Sequence, residues 1–365
     1  MKNHVRGMLA VASFALLTLG CKDNQPEGPS AAGEFTDGVL VINGGNFSQN
    51  NGTLSFLKRG SREVSLNIFN QANGAGALPP ADGRIEGYTE VAGTGMILFD
   101  HMTVGLDKLT FVEAGTMKVK SELTAPEIEN PRAVLAVSER KAYVTNWDSF
   151  NPDYTYKEGY ITIVDPTTGK STGKISVGEA PEEMVLHQNK VYIGRFAGNG
   201  LAVVDTGTDV VTKSLTFEGI PAPIGVDAAG KLWVKEGPRF HRINPGTDAV
   251  ELTLKPGAEL SHEIGAATLT ADRKGIVFVW SYRDANYKEI GNTYTISTTA
   301  TSVSLDKPIF PRVFSALNAD PVSQLIYGGV APSATQSGHV IRANQAGVLQ
   351  DSVKVEISPE GFFFK

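Results

Sequence analysis

The sequence predicts an all-β fold: a seven-bladed β-propeller of four-stranded blades. Three observations predict it. A unit of about forty residues recurs through the chain, so that Asp165, Asp205 and Asn244 take one position in three successive copies and Tyr143, Tyr192 and Trp233 take another. Each unit holds four short runs rich in β-branched residues, separated by tight-turn chemistry such as TTGK and GTD, and no stretch carries a sustained helical period. The first unit lacks its Pro-led opening strand, and a run of that kind, PEGFFFK from Pro359, stands at the far end of the chain.

Taken in order, residues 1–20 read as a signal peptide. Lys2 and Arg6 precede an apolar run from Met8 to Leu19, too short for a comfortable bilayer span. Cys21, the single cysteine, follows at once and excludes an intramolecular disulfide or a thiolate cluster. Residues 21–37 are assigned to a lipidated flexible tether, polar and Pro/Gly-containing in 22–34, and 38–365 to the propeller. The clearest units are PRAVLAVSERKAYVTN with GYITIVDPTTGKSTGKISVG, PEEMVLHQNKVYIGRF with GLAVVDTGTDVVTKSLTFEG, and PIGVDAAGKLWVKE with RFHRINPGTDAVELTL. Weaker copies occupy 84–124, 262–306 (ending in TSVSLD) and 312–356, and residues 38–70 supply three strands, GVLVING, GTLSFLK and EVSLNIF. A blade cannot bury both faces alone, whereas stacking in a ring does so. Pairing of PEGFFFK with GVLVING closes the ring and removes free sheet edges.

The composition narrows function. There are 33 Lys+Arg against 39 Asp+Glu, a net charge of −6, and loss of Lys2 and Arg6 with the signal makes the mature chain more acidic. Nucleic-acid phosphate is a poor partner for such a chain. There is no GxSxG, HExxH or phosphate-cradling glycine loop, and the histidines are scattered without metal-ligand spacing. No catalytic residue, metal site or cofactor is therefore assigned, and the domain is expected to be monomeric.

Candidate binding residues come from the blade pattern. The innermost strand starts on one rim, and the loop between the second and third strands returns to it. Those loops carry Phe47, Trp147, Phe150, Tyr154, Tyr156, Phe196, Trp280 and Tyr282, with Arg195, Lys235, Arg239 and Arg283 among the basic residues. Two readings stand for the aromatics: a stacking surface for a large flat ligand or a partner, or mutual packing that holds the long 146–159 loop. Two stand for the cations: an anionic ligand, or neutralisation of rim acids such as Glu182, Glu183, Glu236 and Glu263.

The repeat VYIGRF…GLAVVDTGTDVVTKSLTF resembles that of the YncE-like seven-bladed propellers. Leu17-Thr18-Leu19-Gly20-Cys21 resembles a lipobox, departing from it at Thr18, where Leu is commonest. GVLVINGGNFSQNNGTLSFLK, VTNW at Val144–Trp147 and PEGFFFK resemble a lipoprotein branch of the Bacteroidota that includes BtuG-type cobalamin-capture proteins. That resemblance implies lipidation at Cys21, a place on the outer membrane at the cell surface, a bulky nutrient ligand such as a corrinoid or iron chelate, and a TonB-dependent transporter as partner. A surface glycan- or protein-binding propeller is the alternative, and a metal-dependent funnel enzyme the remaining one.

Overall fold

The computed structural model describes residues 33–74, 82–257 and 261–365. The signal peptide, Cys21 and tether residues 21–32 lie outside them. Seven antiparallel sheets follow one another around a ring, six four-stranded and one three-stranded. We number them as blades I to VII from the N-terminus. Blade I is the composite one, in the order Pro359–Phe364, Gly38–Asn43, Thr53–Lys58, Val64–Ser65. The chain's last strand ladders with its first: Val39 faces Phe364, Leu40 faces Phe363 and Val41 faces Phe362. Phe362 packs with Val39 and Val41 against Tyr327 of blade VII, and Phe363 packs on Tyr88 of blade II. The closing strand thus supplies core on both sides of the seam.

The Tyr143/Tyr192 position proves to be a rivet between blades. In blade III, Lys141 and Tyr143 both reach Asp209 of blade IV, the lysine at 2.8 Å. One unit on, Lys190 and Tyr192 of blade IV reach Asp248 of blade V, at 3.0 and 2.8 Å. Both tyrosines are fully buried, so a phenol there needs a partner, and the turn aspartate of the next blade provides it. Trp233, third in the series, bonds Asp227 within its own blade at 2.9 Å. Asp165 caps its own turn, accepting from the Thr167 amide at 2.8 Å, which is why TTGK-type turns recur.

Three expectations are corrected. TSVSLD does not form the fourth strand of blade VI: Thr301–Asp306 makes no ladder, although Val303 and Leu305 still pack on that blade's core. The edge amide it would need, that of Thr293, instead donates to Phe310 O at 2.9 Å. In EVSLNIF only Val64–Ser65 is strand, and the chain turns into a short helix, Ile68–Asn73, that buries Ile68, Phe69 and Ala72. Finally, Phe35, placed in the tether on sequence grounds, is buried, its ring 5.3 Å from Phe56 and its carbonyl accepting from Lys365 Nζ at 2.8 Å. An aromatic among polar neighbours was the available signal. No helix among the described residues is long and apolar enough to cross a membrane.

Candidate functional site

The innermost strands do not pair regularly with their neighbours. In six of the seven blades the register slips near the strand's start, leaving residues without a partner across the ladder: Glu86, Arg132, Glu182 with Glu183, Ile224, Gly265 with Ala266, and Glu360. Such bulges re-aim side chains. Here every skipped residue lines the axial funnel. The funnel comprises a cavity of about 910 Å³ opening on the predicted rim and two adjoining ones of about 600 and 300 Å³, all three touching Lys235. Its walls carry eight glutamates and five cations.

The charges are unevenly matched around the ring. On the side of blades I to III they form a chain. Arg84 bridges Glu86, at 2.6 Å, and Glu360, while Arg132 pairs with Asp100 at 3.0 Å and Glu86 at 4.0 Å. Burial opposes the Arg84 charge, but the two carboxylates more than offset it and its pKa is raised. Burial raises Asp100 to about 7 against the pull of Arg132, and it raises the pKa of Glu86 against the pull of Arg84. Arg239 is occupied by Glu218 at 2.7 Å and Glu236 at 3.6 Å. Buried Glu236 also accepts from the Gly219 amide and contacts His241 Nε2 at 2.7 Å, holding the loop before blade V in place. For these arginines, neutralisation of rim acids is what the geometry supports.

Opposite them the matching fails. Among the described residues, Glu182, Glu183, Glu263 and Glu289 have no cation within ion-pair distance, and Lys235 donates to the Gly265 carbonyl at 2.7 Å rather than to a carboxylate. Burial, then the neighbouring Glu183, push Glu182 up to about 8, with Arg132 opposing. Burial pulls Lys235 down, against Glu183, Glu263 and Glu289.

The aromatics divide. Trp147 stacks on Phe196 with centroids 5.6 Å apart, meets Tyr156 edge-on at 5.2 Å and Phe150 at 6.5 Å, and carries the Arg132 guanidinium 3.9 Å from its ring. Mutual packing that holds the long loop is thus real, yet Trp147 and Phe196 also form a wall of the largest cavity. The Trp147 indole N–H faces Glu182 but makes no hydrogen bond of normal geometry. Of the other sequence candidates, Lys235, Arg239, Tyr282 and Arg283 line the funnel. Trp280 does not: it is buried, stacked on His262 at 5.5 Å within the blade VI core. Arg195 lies in a slot over Gly178 and Gly200, where a Cβ on Gly200 would come within 1.6 Å of Nη2, and it donates to Ser214 at 3.1 Å. Phe47, Phe150, Tyr154 and Tyr156 sit on rim loops outside the cavity lining, with Tyr154 87% exposed. Of the bulged glutamates, the sequence reading places Glu182 and Glu183 on the rim only as acids neutralising its cations, and it misses Glu86 and Glu360. A charge directly after a strand-opening proline, as in Pro131-Arg132, Pro181-Glu182-Glu183 and Pro359-Glu360, was their signal.

Residues 37–327, most of the chain, match the family model described as a domain of unknown function, DUF5074. The chain belongs to the DUF5074 family. No curated protein matches this DUF5074 chain. Among solved structures it is similar to a quinonprotein alcohol dehydrogenase-like protein of Bacteroides thetaiotaomicron, at 11% identity and TM-score 0.59, covering 90% of this chain and 78% of that one. It is also similar to hydrazine synthase of Kuenenia stuttgartiensis, at 16% identity and TM-score 0.56, covering 76% and 88%. A third likeness is to an extracellular domain assigned to a one-component system of B. thetaiotaomicron, at 14% identity and TM-score 0.56, covering 80% of this chain and 39% of that one. At such identities the likeness is one of fold.

Proposed function

We propose that this DUF5074 protein is a non-enzymatic binding lipoprotein of the outer membrane. In this reading it is anchored through Cys21 at the cell surface, holds a bulky nutrient ligand in the funnel, and passes it to a TonB-dependent transporter. A corrinoid or an iron chelate is the ligand class that the resemblance to BtuG-type proteins suggests. The observation that carries the reading is the funnel itself: about 910 Å³, rimmed on one side by the flat Trp147–Phe196 pair and on the others by charged and backbone groups. That is the size and mixture of a site for a large amphipathic molecule. The point of attachment agrees with it. Gly33–Asp37 joins the ring beside the Gly115 turn, on the rim opposite the funnel, with the Phe35 amide donating to Gly115 O at 3.1 Å. The mouth is then left clear for ligand and partner.

Calorimetric titration of the full chain with cobalamin, ferric siderophores and soluble glycans tests the reading. A corrinoid or siderophore should bind with one-to-one stoichiometry, and Trp147→Ala should abolish binding. Binding of none of them, or binding indifferent to Trp147, refutes it. One observation favours the glycan- or protein-binding alternative. Tyr154 and Tyr287 stand 87% and 81% exposed at the tips of two rim loops, each in the left-handed region, at φ 63° and 61°. Glycan binding lost in Tyr154→Ala with Trp147→Ala unaffected would select that alternative.

A further inference from the structure

The charge distribution of the funnel goes one step past its size. We infer that the group the ligand carries into the blade IV–VI side of the funnel is cationic or rich in N–H donors, not an anion. This rests on the reading of the funnel as a ligand site and adds to it a substrate class.

The argument is one of complementarity. Arg84 and Arg132 are the cations best placed for a carboxylate or phosphate, and both are already engaged by acids of their own or neighbouring blades, Arg132 additionally lying on Trp147. An anion entering there would have to displace a formed, largely buried ion pair, which leaves a carboxylate uncompensated. On the opposite side the imbalance has the other sign: Glu183, Glu263 and Glu289 share their wall with Lys235 and Arg283, neither within ion-pair distance of them. These carboxylates retain free acceptor positions, and like-charged neighbours in a confined cavity raise the field at its centre. Glu182 and Glu183 are there because the bulge between Pro181 and Met184 turns consecutive residues out of the ladder. A ring with its flat face on Trp147 and Phe196 and a positive or donor-bearing edge toward Glu183 and Glu263 satisfies both walls at once.

Two xanthene dyes of similar shape and opposite charge separate the alternatives: rhodamine 123, cationic, and fluorescein, anionic, followed by fluorescence anisotropy with the full chain. Rhodamine should bind at least about tenfold more tightly, the worth of one well-placed opposite charge at intermediate dielectric. The preference should vanish in the Glu183→Gln/Glu263→Gln/Glu289→Gln variant, whose folding is verified by its melting curve. Should that variant fail to fold, the single Glu263→Gln should reduce the preference at least about twofold. Equal binding of the two dyes, tighter fluorescein binding, or binding of neither overturns the inference. Trp147→Ala tells the two levels apart. Dye binding without charge preference but lost in Trp147→Ala sinks the cationic class and leaves the ligand site standing. Binding unaffected by Trp147→Ala sinks the site.

Discussion

Glu182 links the funnel to the stability of the whole ring, and replacing it by glutamine should make the protein more stable in alkali. Burial first, then the charge of Glu183, raise its pKa from the ordinary 4.5 to about 8, with Arg132 pulling the other way and Glu86 adding to the rise. For an acid held above its unfolded value, the folded state binds the proton more tightly. Its stabilising contribution is complete below about pH 4.5 and is lost as the pH climbs through about 8. The whole linkage would amount to about 5 kcal/mol. The group lies in an open funnel and solvent screening reduces that figure, so about 2 kcal/mol is the expected effect. Glutamine keeps the shape and the neutral state at every pH. Urea denaturation of the wild type and Glu182→Gln at pH 5 and pH 9 should give similar midpoints at pH 5 and a more stable variant at pH 9. Asp100, raised to about 7 mainly by burial, titrates in both proteins and cancels in the comparison. Identical pH dependence in the two proteins, or a wild type that is the more stable at pH 9, would refute the argument.

The seam and the rivets give further expectations. Phe362→Ala removes a ring that is 8% exposed from the closing strand and should cost about 3 kcal/mol by chemical denaturation; a loss below 1 kcal/mol would mean that the last strand closes nothing. Asp209→Ala strands the buried Tyr143 hydroxyl and Lys141 at once and should cost about 2–3 kcal/mol, whereas Asp209→Asn should recover part of it; equal losses would point away from the hydrogen bonds. Tyr154→Gly relieves a side chain held at φ 63° without packing and should leave stability unchanged or raise it by about 0.5 kcal/mol, a direction that a denaturation midpoint reports directly.

The features that made the fold legible are those that hold blades to one another. Lys-x-Tyr at 141–143 and 190–192, and the turn aspartates Asp209 and Asp248, recur because blades III and IV are each riveted to the next in the same way. A contact repeated from one interface to the next leaves a period in the sequence. The closing strand was legible for the same reason, since a missing copy at one end and a spare at the other are a counting matter. What broke the period was misread. TSVSLD looks like a strand by composition, but Phe310, from beyond Pro308, occupies the edge it would use, and a long-range competitor leaves no local mark. Phe35 and the Ile68–Asn73 helix are likewise settled by packing on blade I rather than by propensity.

The site lies on the other side of that distinction. A funnel at the axis of a ring draws one or two residues from each blade, and those residues need not resemble one another, because each meets the axis at a different angle to the same ligand. Periodicity therefore locates the rim and says nothing about its chemistry. Loop aromatics are conspicuous in a sequence, so Phe150, Tyr154 and Trp280 drew the assignment, yet Trp280 belongs to the core and Phe150 to the loop's own cluster. The residues that shape the cavity are carried by strands whose ladder slips near the start, whether the residue turned out is charged, as Glu182 and Glu183 are, or apolar, as Ile224 and Ala266 are. In blade IV the bulge turns both Glu182 and Glu183 to the axis, where a regular strand would send one of the two toward the neighbouring blade. In blade VII the innermost strand, Ala316–Ala319, carries no charged residue and pairs without a bulge. Absence of charge does not by itself keep a ladder regular, since the uncharged strand Pro221–Val226 of blade V bulges at Ile224.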